Sequence, residues 1–151
     1  MKTILILVSV MMLFHPASIK AVEPMTTADM AEQCGMTEEE FIFLSSVVEA
    51  ESDRSESLDG RILIAETILN RVNSEQFPDT ITEVLCQSGQ FSTVRNGHSI
   101  VDHTDYSDQA VLIAVEEIEA GVAPDVLFFN CIGFFAGRQS YALVDGNYFS
   151  C

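Results

Sequence analysis

The sequence is short of positive charge: seven Lys and Arg stand against 23 Asp and Glu, a net charge of −16. Both lysines, Lys2 and Lys20, fall in the first 21 residues, and without them five arginines face 23 acids, a net charge of −18. Such a balance excludes recognition of nucleic acid or anionic lipid, and adhesion to a polyanionic wall, through a basic patch. Any polymer this chain binds must be held in a cleft. Tryptophan is absent, which removes a side chain that sugar-binding clefts often use. After the first residues no apolar run approaches the roughly 18 needed to span a bilayer. There is no internal repeat, low-complexity tract or second-domain boundary.

Met1 to Ala21 has the layout of a secretory leader: Lys2 gives a positive start, Thr3 to Phe14 an apolar run too short for an ordinary membrane span, and Ser18 to Ala21 a small-residue exit. The expected product is secreted, with no membrane segment left after cleavage. It is one domain of about 130 residues, enough for a single core. Residues 22–36 form a polar lead-in with a helical turn around Met30 to Cys34, and residues 37–151 form the domain itself. Four cysteines, Cys34, Cys86, Cys131 and Cys151, survive cleavage. An even count in an exported chain permits two disulfides, with Cys131–Cys151 the local pairing; free buried thiols are the alternative. Their spacing does not match a zinc site.

The first strong helix runs through Thr37 to Ser52, TEEEFIFLSSVVEAES. Thr37 and Glu40 have capping-box spacing, and acids fill the first turn, where the helix dipole favours them. At about 100° per residue, Phe41, Phe43, Leu44, Val47 and Val48 share one side; Glu51 falls between Val47 and Leu44, and Glu49 points away. A carboxylate on the buried stripe loses hydration, which raises its pKa and prepares it as a general acid. Alternatively Glu51 lies on a fraying last turn and bends out to water.

Ser52 to Asp59 is a polar connector placed to form one lip of a cleft. Arg61 to Asn73 is a core helix with Ile62, Ile64, Ala65, Ile68, Leu69 and Val72 on one face; Glu66, Thr67, Asn70 and Arg71 share the other, where Glu66 and Asn70 read as a surface pair. Phe77-Pro78 breaks it, and Asp79 or Thr80 caps a short helix through Cys86. Gln87 to Ser92 is a glycine-centred turn whose amides and ring suit sugar hydroxyls and C–H faces. Asn96 to Tyr106 reads as a polar loop in which no helical or hairpin frame makes His98, Asp102, His103 and Asp105 converge, so no metal is expected. Ser107 caps a third long helix, Asp108 to Ala120, ended by Gly121. Val126 to Asn130 and Phe134 to Cys151 read as short strands or an aromatic-lined return.

The ordered series Leu44-Ser-Ser-Val-Val-Glu-Ala-Glu51, Glu56-Ser-Leu-Asp-Gly-Arg61, Ile68-Leu-Asn-Arg-Val72, Phe77-Pro78 and Gly89-Gln-Phe-Ser92, with weaker echoes at Phe128-Phe-Asn130 and Gly146-Asn-Tyr-Phe149, resembles the catalytic domain of the SleB-type cell wall hydrolases, the spore cortex-lytic enzyme family. The resemblance implies an α+β, mainly helical, lysozyme-like domain with a short strand-bearing lobe and a cleft. It also implies cleavage of peptidoglycan between N-acetylmuramic acid and N-acetylglucosamine, with Glu51 as the catalytic glutamate. Gln90, Phe91 and Asn130 are then candidates for holding sugars, with Tyr141 and Tyr148 behind them. No cofactor is implied, the partner is the glycan strand, and the chain is expected to act as a monomer at the cell wall. Glu51 has no obvious second carboxylate in sequence, which favours a lytic transglycosylase over a two-carboxylate muramidase. A non-catalytic glycan-binding relative is the remaining alternative.

Overall fold

The computed structural model describes residues 24–52 and 57–151; the expected leader, Glu56 and half of the polar connector lie outside the described residues. Five helices come in the order α1 (Thr27–Gln33), α2 (Glu38–Glu51), α3 (Leu58–Val72), α4 (Ile81–Leu85) and α5 (Asp105–Glu119). Between α4 and α5 lies a hairpin of β1 (Val94–Arg95) and β2 (His98–Ser99), and after α5 come β3 (Phe128–Asn130), β4 (Ser140–Val144) and β5 (Asn147–Ser150).

The helices begin where side chains satisfy orphan N–H groups. Thr37 accepts from Glu40 N–H while the Glu40 carboxylate accepts from Thr37 N–H, and Thr26 with Asp29 repeats the arrangement at α1. Thr80 caps α4. Two starts differ from the sequence expectation. Helix α3 begins at Leu58 because Ser57 caps it through Gly60 N–H. Helix α5 begins at Asp105, capped by Thr104, whose hydroxyl takes Ser107 N–H while the Ser107 hydroxyl takes Thr104 N–H. Ser107 is therefore the third residue of a capping box, not the cap.

The core lies among α2, α3 and α5, with Phe41, Leu44, Val47, Val48, Ile64, Ile68, Val111 and Ala114 withdrawn from water. Each large apolar side chain contributes about 1.5–3 kcal/mol by burial. Strand β5 is central in the order β3-β5-β4, all pairs antiparallel, and Phe149 carries the sheet onto the helical core.

Two turns set the strand pairings. Asn96 (φ 53°) and Gly97 (φ 79°) close β1–β2, and Asp145 (φ 49°) and Gly146 (φ 83°) close β4–β5. Both are two-residue connections with positive φ at both positions, for which Asn-Gly and Asp-Gly are the preferred pairs. The expectation of a frameless loop at Asn96 therefore fails: the segment starts as a hairpin, and its His103 pairs with Asp108 at 2.9 Å.

All four cysteines are free thiols. The β3–β5 register pairs Phe128 with Ser150 and Asn130 with Tyr148, which puts Cys131 and Cys151 at opposite ends of the ladder. Four residues of rise separate them by about 13 Å, too far for a disulfide.

The polar side of α3 is buried and is not a surface pair. Glu66 is 1 % exposed. The Asn70 amide donates to Pro124 and Val126 carbonyls, at 2.8 and 3.1 Å, in the segment that leads from α5 into the sheet. Burial, reinforced by Glu117 of α5, pushes the Glu66 carboxyl up to about 8. The folded state therefore holds a proton on Glu66 that the unfolded chain releases near 4.5, so stability falls as pH rises from about 4.5 to about 8. Glu66→Gln should remove that decline. Thermal melts should show the variant about 5 °C above the parent at pH 9 and close to it at pH 5.

Candidate active site in the cleft between helix and sheet

Helix α2 stays closed to its end: Ser52 N–H donates to Val48 O at 3.1 Å and the Ser52 hydroxyl to Glu49 O at 2.9 Å. The direction of Glu51, the last helical residue, is fixed by that turn. The frayed alternative does not apply. The side chain is half-buried and reaches a cavity of about 460 Å³ between α2, the 87–93 turn and the ends of β3 and β5. Its only described polar partner is the Thr93 hydroxyl, which donates to Oε1 at 3.0 Å. Burial raises the Glu51 pKa above the ordinary value, and the Thr93 hydrogen bond only partly opposes it.

Glu49, two residues earlier, has a different environment. Its carboxylate takes Arg61 through both oxygens, at 3.3 and 3.2 Å, and the Thr104 hydroxyl at 2.8 Å. Burial pushes its pKa upward, but the hydrogen bonds from Arg61 and Thr104 and the Arg61 charge together outweigh it and hold the group below its usual range. Glu49 therefore stays ionised, on a second cavity of about 390 Å³ that meets the first at Ala50 and Thr93. Among the described residues Glu51 is the only carboxylate on the larger cavity.

Gln90, Phe91 and Asn130 all line the larger cavity, but in different capacities. Gln90 offers its Oε1 to Arg71 at 3.4 Å. Phe91 is 5 % exposed and belongs to the core, so it supplies only an edge. Asn130 is turned onto its own loop: its Oδ1 accepts from Ile132 and Gly133 N–H at 2.8 and 3.0 Å and its amide donates to Gly133 O. Tyr141 and Tyr148 are not part of the lining. Tyr141 is half exposed on β4, and Tyr148 points to the face of β5 opposite Asn147 and Phe149 and packs edge-on against Phe134.

Three further residues shape the site. Thr93 holds the acid, Asn147 lines the far wall, and Arg71 joins the walls. Arg71 donates Nε–H to Leu127 O at 2.8 Å, and its guanidinium lies among the rings of Phe77, Phe91 and Phe128, 5.1–5.8 Å from their centroids. Burial lowers its pKa to about 10, so it keeps its charge. An arginine on the polar side of an otherwise apolar helix was the available signal for Arg71; Thr93 had none.

A model of the cell wall hydrolase family matches residues 55–136. The chain belongs to that family. The spore cortex-lytic enzymes of Oceanobacillus iheyensis and of Bacillus subtilis strain 168 are 32 % and 31 % identical to it over 81 residues, 54 % of this chain. Those residues are 29 % and 26 % of the respective relatives, so the chain spans under a third of their length. The fold is that of the Bacillus cereus SleB catalytic domain (TM-score 0.65, 23 % identity, 76 % of this chain and 91 % of that one). The Bacillus anthracis SleB catalytic domain, described as a germination-specific lytic transglycosylase, superposes equally well (TM-score 0.65, 23 % identity, 78 % and 98 % covered). The family match starts four residues after Glu51, so the role of Glu51 rests on its geometry.

Arg71→Met should leave the Leu127 carbonyl without its donor and remove the charge from the aromatic box. A loss of about 2–3 kcal/mol is expected in urea denaturation, with wild-type secondary structure in far-UV dichroism.

Proposed function

We propose that this cell wall hydrolase cuts the glycan strands of peptidoglycan between N-acetylmuramic acid and N-acetylglucosamine as a lytic transglycosylase, with Glu51 as its single acid and base. The observation that carries this reading is the pair of environments on one helix end. Glu51 faces the cavity half-buried and, among the described residues, forms no ion pair, while Glu49 is committed to Arg61.

In the first step neutral Glu51 gives its proton to the glycosidic oxygen as the bond from C1 breaks. Glu51, now a carboxylate, takes the proton of the muramic acid C6 hydroxyl, whose oxygen attacks C1 and closes a 1,6-anhydro ring. Proton and electron pairs balance, and the acid is restored. The nucleophile belongs to the substrate and is already held near the reacting carbon, so no second carboxylate is needed. The amide of Gln90 and the wall formed by Phe91 and Asn130 are the proposed sugar contacts. Residues 1–21 are proposed to direct export, which brings the domain to the wall polymer.

Glu51→Gln should release soluble fragments from purified peptidoglycan at least about 100-fold more slowly than wild type. Mass spectrometry of the wild-type products should find 1,6-anhydro ends; reducing ends would indicate a two-carboxylate muramidase, and no excess over Glu51→Gln a non-catalytic relative. Because the donor must be protonated, the rate should fall as pH rises through the raised Glu51 pKa. The Thr93 hydroxyl stabilises the charged form, so Thr93→Val should move that alkaline limb to higher pH.

A further inference from the structure

Asn130 spends its side chain on the loop that follows it, and the product of that loop is an exposed apolar lip. The three hydrogen bonds from Asn130 to Ile132 and Gly133 fix a short turn on which Ile132 is 90 % exposed while also lining the cavity. A rigid, solvent-facing isoleucine beside a candidate active site serves no packing purpose in the free protein.

The sheet continues that lip. Register sets Asn130 opposite Tyr148, and Tyr148 opposite Leu143, so the three side chains form one row on one face across β3, β5 and β4. Two strand spacings make the row about 10 Å long, the reach of a couple of sugar rings. Phe134, 44 % exposed, stands edge-on to Tyr148 with centroids 5.0 Å apart, and Leu143 is 55 % exposed. The row thus runs from the cavity wall outward, is apolar beyond Asn130, and carries no charge.

We propose that Ile132, Phe134, Tyr148 and Leu143 form an additional sugar-binding strip, which holds the glycan strand where it leaves the cavity. Two features select a glycan chain as its occupant: the strip is continuous with the cleft through Ile132 and Asn130, and rings and branched aliphatics match the C–H faces of pyranoses. The proposal rests on the reading of the cleft as a glycan site.

The test measures binding in a Glu51→Gln background, so that no cleavage intervenes, to peptide-free glycan strands and to a GlcNAc–MurNAc disaccharide short enough to stay within the cavity. Leu143→Ser with Phe134→Ser should weaken binding to long strands about tenfold and to the disaccharide less than twofold. Val122→Ser, which removes a 69 % exposed side chain elsewhere, should change neither. Unaltered strand binding in the double variant, an equal loss for both ligands, or an equal loss in Val122→Ser would overturn the strip and leave the cleft reading intact. So would a wild-type dimer that Leu143→Ser makes monomeric without altering strand binding. If the Glu51→Gln protein binds neither ligand, strip and cleft reading fall together.

Discussion

A carboxyl group half withdrawn from water, without a cation to balance its charge, is shifted toward its neutral form. Everything proposed for the cleft depends on that condition at Glu51, which among the described residues has a hydroxyl and no cation as its partner. It is met because α2 keeps its last turn closed, because the 87–93 turn covers one side of the side chain, and because two arginines among the described residues around the two cavities are engaged elsewhere. Arg61 is bound to Glu49, and Arg71 to the Leu127 carbonyl inside an aromatic box. Had either guanidinium reached Glu51, the acid would have stayed ionised and the donor would be lost.

Three glutamates show how position alone divides their roles. Glu49, with Arg61 and Thr104, is held ionised; Glu51, with a single hydroxyl, is pushed toward the neutral form; Glu66, shut between α3 and α5 beside Glu117, is pushed furthest. Of the three, Glu51 opens on the larger of the two adjoining cavities and Glu49 on the smaller. The perturbation of Glu66 bears on the stability of the α3–α5 pair.

Much of this was legible in the chain. The Thr37–Glu40 capping box fixes where α2 begins, and counting from it by 100° steps puts Glu51 on the inward side; the structure has it half-buried on the cavity wall. The family and the mixed, mainly helical architecture were legible as well, because the motif series is ordered along most of the domain. The misses are mostly of one kind. Glu66 and Asn70 read as surface because helical periodicity separates polar from apolar without saying what packs on the polar side; here α5 and the segment after it do. Asn130 lines the cavity, with its amide held by the loop that follows it. Thr93 and Asn147 reach the site through tertiary contacts that no local pattern encodes. The Asn96-Gly97 hairpin is the exception, since its sequence signal was present and the flanking charges obscured it.

The most direct measurement is the titration of the Glu51 side chain itself, followed through its carboxyl carbon by NMR in protein labelled at glutamate, with Glu51→Gln to assign the resonance. A desolvated, unpaired proton donor predicts a midpoint above the 4.5 of an ordinary glutamate. A midpoint at or below that value would mean a carboxylate already ionised and solvated or paired, and would contradict the acid role on which the proposed chemistry stands.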